Sequence, residues 1–318
     1  MKILANDGIS KAGIDVLSNA GYTVITDKVE QGALIDYINS ENIEVLLVRS
    51  ATTVRQDMID ACAGLKLIGR GGVGMDNIDV QYARDKGRVV INTPGASSQS
   101  VAELVMGHMF SISRSLNDSY KNMSTGDFKT LKKKYGKGVE LRGKKLAIIG
   151  FGKIGQSVAS YAIGCGMDVA AVDIFTEPRT INLELGNGIS ASTTIVPTED
   201  MTNALETADY ISLHVPKQSD GSAVIGKKQF DMMKDGVRIV NAARGGVINE
   251  DDLLDALSSG KVASIGLDVF DNEPNPRTDL LNHEKIACTP HVGAATVEAQ
   301  DRIGVELAET IIANFGAH

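Results

Sequence analysis

KKLAIIGFGKIGQSVASYAIGCGMDVAAVDIF, from Lys144 to Phe175, is the stretch that decides the fold. Leu146 to Ile149 reads as a short apolar strand. Gly150-Phe151-Gly152-Lys153-Ile154-Gly155 follows it and opens a helical pattern. A lone GxGxxG says little, but strand, glycine turn and helix together form the context that gives it meaning. Gly150 permits the tight turn. Gly152 lets a pyrophosphate approach the backbone beside Lys153 and Ile154. Gly155 lets the helix pack on the strand, and the helix N-terminus faces the anion. A second strand, Met167 to Val172, ends in Asp173. A carboxylate there can bind both hydroxyls of an adenosine ribose and would repel a 2′-phosphate, so NAD is expected rather than NADP. The bland alternative is a glycine-rich structural turn, and FAD shares the fingerprint.

The same rhythm runs outward in both directions. KILAN, YTVIT, IEVLLVRS, LKLIGRG and GRVVINTPG read as strands in the first 95 residues, with helical patterns at Lys11–Asn19 and Gly32–Ser40. A long helical pattern spans Ser98–Ser115, and a basic, glycine-punctuated segment spans Gly126–Lys145. ADYISLHVP, GVRIVNAARGG, VASIGLDVF and KIACTPH continue the rhythm after the opening stretch. Alternating β and α at this spacing argues α/β architecture, here as two doubly wound parallel-sheet domains. The last helical pattern, Val297–Phe315, points back to the first domain. The expected division is 1–97 with 288–318 as one domain, and 98–287 inserted into it.

A chain of 318 residues, 43% of them apolar, can bury two cores. The net charge of −8 argues against a nucleic-acid or polyanion surface. Cys62, Cys165 and Cys288 form no CxxC pair, so neither a disulfide framework nor a zinc site is indicated, and no metal is expected. MKILANDGIS reads as a strand and turn rather than a signal peptide, and no apolar run approaches transmembrane length. A cytoplasmic protein is expected.

GVRIVNAARGGVINEDDLLDAL places Arg244 where a strand emerges, between two alanines and two glycines. An arginine kept for solubility does not need such small neighbours. The sequence reading gives that space to a ligand. Of five histidines, His318 is terminal and His108 lies in an apolar helix. His283 sits in a connection read as exposed, and His214 closes a strand and lines the cofactor. His291, in CTPHVGAAT, follows a strand among small residues and is the candidate acid/base. Glu273, in GLDVFDNEPNP, emerges just after another strand. Ligands of doubly wound sheets bind beyond the strands' carboxyl ends, which brings Arg244, Glu273 and His291 to one crevice. Arg244 would bind a 2-hydroxy acid's carboxylate and polarise its carbonyl. Glu273 would orient His291, and His291 would exchange a proton with the carbonyl oxygen.

GFGKIG with Asp173, NAARGGVINEDDLLDAL, GLDVFDNEP and TPHVGAAT together resemble the D-isomer-specific 2-hydroxyacid dehydrogenases over nearly the whole chain. The resemblance implies a Rossmann NAD domain inserted into a flavodoxin-like substrate domain, and a homodimer built through the NAD domains. It implies Arg244, Glu273 and His291 as the catalytic set. It extends the cofactor contacts to Ile174, His214, Val215, Pro216, Ala242, Ala243, Arg244, Asp268, His291, Gly293 and Ala294.

The N-terminal domain bears on the substrate. LLVRSATTV puts Arg49 and Ser50 at a strand end. LKLIGRGGVGMDNID puts Arg70 before Gly71, Gly72, Val73 and Gly74. A glycine nest can hold a carboxylate, and two arginines suit a phosphate, unless they are surface residues with their own ion pairs. VRSAT, GRGGVGMDNID and NTPGASSQSVAEL resemble the phosphoglycerate-oxidising branch of the family. That resemblance implies a phosphorylated three-carbon hydroxy acid, the first step toward serine, and substrate contacts from Arg49, Ser50, Arg70, Gly72, Val73 and Gly74. Two readings compete. One is a glyoxylate, hydroxypyruvate or D-lactate reductase. The other, of a different class, is an NAD-sensing corepressor-like binding protein.

Relatives often carry tryptophan near STGDFKTLKKKYG, where this chain has Phe128 and no Trp anywhere. Lys129 or Lys132 to Lys134 are candidates to reach a neighbouring subunit's site, with a solvated basic loop as the alternative. Longer relatives append serine-binding regulatory domains. The chain stops at His318, so feedback by that route is not expected.

Overall fold

Two all-parallel sheets carry the chain, in a computed structural model that describes residues 1–317. His318, set aside above as terminal, lies outside the described residues. The chain begins β1 (Lys2–Ala5), α1 (Lys11–Asn19), β2 (Thr23–Ile25), α2 (Leu34–Ser40), β3 (Val45–Val48), α3 (Gln56–Ala61), β4 (Leu67–Arg70), α4 (Val80–Asp85) and β5 (Val89–Asn92). Next come α5 (Ser98–Arg114), α6 (Leu116–Asn122), α7 (Phe128–Tyr135), β6 (Lys145–Ile149), α8 (Lys153–Gly164), β7 (Asp168–Val172), β8 (Arg179–Glu184) and β9 (Ser190–Ile195). It closes with α9 (Met201–Thr207), β10 (Tyr210–Leu213), α10 (Lys227–Met232), β11 (Val237–Asn241), α11 (Glu250–Ser259), β12 (Val262–Leu267), α12 (Thr278–Leu281), β13 (Ile286–Cys288) and α13 (Val297–Phe315). No described helix is long and apolar enough to cross a membrane.

The first compact unit is Met1–Ser98 with Ala294–His318. Its strand order is β2-β1-β3-β4-β5, the flavodoxin-like order. VLLV of β3 is buried at every residue, as a strand covered on both faces must be. Leu34, Ile38, Leu46 and Ile68 fill one face; Ile3, Leu47, Leu307 and Ile311 fill the other. Leu307 and Ile311 belong to α13, which is how the C-terminal helix joins this unit. It lies so close to α1 that a Cβ on Gly13 would stand 2.7 Å from the Gly304 carbonyl. Ser10 and Thr296 cap the two helices, each accepting a bond from a first-turn N–H.

The second unit is Gln99–Gly293, with strand order β13-β12-β11-β10-β6-β7. The return to the first unit falls after Gly293 rather than at residue 288. Ile286–Cys288 is an edge strand on β12, so the loop behind it stays with this sheet. The connection after β7 departs from the expected strand–helix alternation. There β8 and β9 form an antiparallel hairpin where a doubly wound sheet would use a helix. Thr198 then bridges back to β7, opposite Val172. The basic segment is not a loop. Phe128–Tyr135 is the helix α7, capped by Asp127, whose carboxylate accepts from the Thr130 N–H at 2.8 Å.

Candidate active site

The cofactor end of the second unit is built on β6, where the order turns back between β6 and β10. Gly150 has φ +94, and a Cβ on it would stand 2.5 Å from the His214 carbonyl oxygen. A Cβ on Gly155 would stand 2.3 Å from the Gly150 carbonyl oxygen. Both glycines are demanded by packing of the strand ends and helix. Gly152 differs: a Cβ there would meet nothing within 4 Å, and no side chain caps α8 behind it. Open space in front of bare helix N–H groups fits a pyrophosphate. Lys153 is exposed and Ile154 half-buried at this opening. Asp173 follows β7. Its carboxylate accepts from the Phe151 N–H at 2.5 Å and the Phe175 N–H at 3.0 Å. A carboxylate keeps further lone pairs, so these bonds hold it in place with capacity left for ribose hydroxyls. Ile174 beside it is 77% exposed, an apolar surface suited to a base. These residues fit the NAD they were read to bind.

Beyond β10, His214 donates or accepts one bond with Ser212 Oγ at 2.8 Å, and its Nδ1 is enclosed without a partner. The residue keeps some accessible surface, yet its ring is surrounded closely enough that burial pushes its pKa down to about 3. Burial thus favours the neutral ring at this position. Val215 packs near Gly150, and Pro216 is exposed.

The glycines that follow Arg244 have a different explanation from the expected one. Asn241, buried at the end of β11, accepts from the Ala243 N–H and donates to the Arg244 carbonyl at 3.0 Å. That brace fixes the Asn-Ala-Ala-Arg turn; Ala242 is half-buried and Ala243 buried. Arg244 Nη1 donates to the Ala243 carbonyl at 2.6 Å. The glycines behind it make room for protein rather than ligand. A Cβ on Gly245 would lie 1.8 Å from the Phe270 carbonyl oxygen, and one on Gly246 would crowd Lys217 and Asp271.

His291 Nδ1 lies 2.7 Å from Glu273 Oε2. The other oxygen of Glu273 accepts from the Phe270 N–H at 2.9 Å. Burial alone would push the Glu273 carboxyl up. The bonds from His291 and Phe270, with the charges of His291 and Arg244, outweigh it and hold the group below the ordinary glutamate value. His291 is exposed and has φ +53, a left-handed conformation that few non-glycine residues adopt. Asp268 holds it there. This carboxylate is 1% exposed and accepts from the N–H groups of Val292 and Gly293, each at 2.9 Å, and from the Thr289 hydroxyl at 2.6 Å. Gly293 also gives its carbonyl to Ser100 Oγ, so both of its backbone groups are engaged. At Ala294 the chain returns to the first unit, and the Ala294 carbonyl accepts from Gln300.

His108 is buried, as expected, with Nε2 2.9 Å from Thr289 Oγ1. Burial pushes its pKa down, against the pull of Asp268. His283 is half-buried rather than exposed, and its Nδ1 accepts from the Lys285 N–H.

In the first unit Val48 pairs with Arg70 across β3 and β4, so Arg49 and Arg70 leave one edge of one parallel sheet. Both are half-buried and Ser50 is exposed. Gly72, at φ +140, leaves space that the Arg70 guanidinium fills: a Cβ there would lie 1.6 Å from Arg70 Nη1. Val73 and Gly74 are half-buried, and the Val73 carbonyl accepts from Asn92.

In the basic helix, Lys134 is bound within its own unit, bridging Asp118 at 2.7 Å and Glu284 at 3.0 Å. Lys129, Lys132 and Lys133 are exposed. Asn241 and the exchange of space between Gly245 and Phe270 escaped sequence reading, since both depend on contacts between separate strands.

A glycine turn facing open space, a carboxylate at the next strand end and a His–Glu pair with an arginine define an NAD-dependent dehydrogenase. The comparisons agree. Residues 106–293 match the D-isomer specific 2-hydroxyacid dehydrogenase, NAD binding domain. The chain is 41% identical to the hydroxypyruvate reductase of Thermotoga maritima, covering 99% of this chain and 98% of that one. It is 38% identical to the D-3-phosphoglycerate dehydrogenase of Methanocaldococcus jannaschii, over 98% of this chain but only 57% of that protein. A glyoxylate reductase structure from Paecilomyes thermophila superposes with TM-score 0.83 at 28% identity, covering 98% and 94% of the two chains. The chain belongs to the D-isomer specific 2-hydroxyacid dehydrogenase family and is an NAD-dependent oxidoreductase.

Proposed function

We propose that the chain interconverts 3-phospho-D-glycerate and 3-phosphohydroxypyruvate. The observation that carries this reading is the pair Arg49 and Arg70 on neighbouring strand ends beside a glycine run. Two guanidiniums suit a phosphate, and backbone N–H groups of the glycine run suit a carboxylate. The Gly150–Gly155 turn and Asp173 would hold NAD, which would supply hydride transfer at the hydroxyl-bearing carbon. Arg244 binds the carboxylate and polarises the carbonyl. His291 takes the hydroxyl proton during oxidation and gives it back during reduction, and Glu273 holds the ring at the correct angle. The reaction would be the entry to serine.

A second reading is hydroxypyruvate reduction, favoured by the Thermotoga relative, which matches this chain over 98% of its own length. The two substrates differ by the phosphate alone. Turnover of phosphohydroxypyruvate and hydroxypyruvate, measured as kcat/KM with NADH, decides between them. A preference for the unphosphorylated acid would move the assignment to the second reading.

The same reading includes a homodimer formed through the second unit. Phe110, Leu116, Tyr120 and Phe128 on α5 to α7, and Met123 just after α6, are all large and exposed, with Tyr120 at 89%. Such a cluster on one run of helices suits burial against a second copy.

A further inference from the structure

The turn that carries Arg49 and Ser50 is gripped on both sides by side chains from two other loops. Asp7, just after β1, accepts from the Arg49 N–H at 2.7 Å and the Thr52 N–H at 3.0 Å through Oδ2. Its Oδ1 accepts from the Thr52 hydroxyl at 2.8 Å. From the opposite side, Asn77 Nδ2 donates to the Arg49 carbonyl at 2.7 Å and the Thr52 carbonyl at 2.6 Å. Asn6 adds a bond to Thr52 Oγ1 at 2.8 Å. Thr52 and Asn6 are each 2% exposed. The two ends of the turn are therefore saturated and fixed.

The middle of the turn is the reverse. Ser50 and Ala51 are exposed, and among the described residues no hydrogen bond reaches either. A strand end clamped at both flanks, with two bare N–H groups between, is preorganised for an anion. The choice of residue at position 7 sharpens the point. A carboxylate so near an anion site opposes anion binding by Coulomb repulsion. It has the compensating property that its three bonds are charge-assisted, and so stronger than those of a neutral amide in the same place.

We propose that Asp7 and Asn77 are positioning residues for substrate, acting through the Arg49–Thr52 turn to present the Ser50 and Ala51 amides to an anionic group of the acid. The proposal rests on the reading that this edge of the first unit holds the acid. Positioning and charge predict opposite signs for Asp7→Asn. Removing a negative charge alone would lower KM for an anionic substrate. Releasing the turn raises it, and misplaced contacts of this kind cost about tenfold or more.

The test uses the full chain with NADH and four 2-keto acids: glyoxylate, pyruvate, hydroxypyruvate and phosphohydroxypyruvate. Amide hydrogen exchange is followed in the same proteins. For the acid that the wild type uses best, Asp7→Asn and Asn77→Ala are each expected to raise KM about tenfold while kcat and KM for NADH stay within about twofold. Exchange at Arg49 and Thr52 speeds up, with the rest of the unit unchanged. A fall in KM for Asp7→Asn overturns the proposal. So does faster exchange with KM unaltered, which would leave the clamp a purely structural feature. A wild type that prefers glyoxylate or pyruvate would defeat the substrate assignment, while the clamp is still judged on that acid.

Discussion

Gly245 and Phe270 meet backbone to backbone, with the carbonyl oxygen of one standing 1.8 Å from where a Cβ on the other would be. The N–H of the same Phe270 holds Glu273, and Glu273 holds His291. The arginine turn and the acid–base pair are thus joined through one residue. Gly245→Ala must push the two apart. We expect kcat to fall by about a hundredfold, the scale of a misplacement near 1 Å, with NADH affinity nearly kept. Turnover within a few-fold of wild type would show that the two segments move independently.

His291→Ala should reduce turnover by roughly a hundredfold or more, as loss of a positioned proton donor does. His214→Gln should spare far more activity, because its ring is held neutral. If the His214 variant proves the more damaged of the two, the proton passes elsewhere.

His214 also sets a pH dependence of stability. Its folded pKa is depressed from 6.5 to about 3 by burial. The unfolded chain takes up a proton below about 6.5 that the folded chain refuses, so stability is present above that pH and drains away as pH falls toward about 3. Urea unfolding across that window should show a shallower pH slope for His214→Gln than for wild type. Identical slopes would mean that the ring protonates in the folded chain.

Asp173 should make NADH the better cofactor, since its carboxylate, fixed by the Phe151 and Phe175 N–H groups, would repel a 2′-phosphate. Asp173→Ala is expected to narrow the NADH over NADPH ratio in kcat/KM from both directions. A wild type indifferent to the phosphate would remove this role.

Arg49→Ala and Arg70→Ala should each weaken use of 3-phosphohydroxypyruvate far more than of hydroxypyruvate. Loss of one shielded charge partner costs about 2–5 kcal/mol. Gly72→Ala should copy the Arg70 variant, because the new methyl would occupy the guanidinium's place. Proportionate losses on both acids would place the phosphate elsewhere.

Sequence reading succeeded where one periodicity governs. Lys11–Asn19 and Val297–Phe315 came out with the observed bounds, because each has a buried stripe and a cap. The strand–glycine–helix of the opening stretch was legible for the same local reason. RTINLE and SASTTI were missed as strands. Only Ile181 and Leu183 of β8 are buried and β9 is nearly all exposed, so the pattern is faint, although the Gly-Asn-Gly between them was a turn signal. In α7 the single buried Leu131 was hidden among lysines. The Asn241 brace and the clamp on Arg49 are pairings of polar side chains with distant backbone, which no period records.

The hairpin that replaces a crossover helix has a practical consequence. Its tip, Gly186-Asn187-Gly188, turns on three left-handed residues and supplies no strand to either parallel sheet. A peptide tag or a fluorophore could be carried there, because loop tips of this kind accept inserted chain. The hairpin thus offers an attachment point for immobilisation or optical readout.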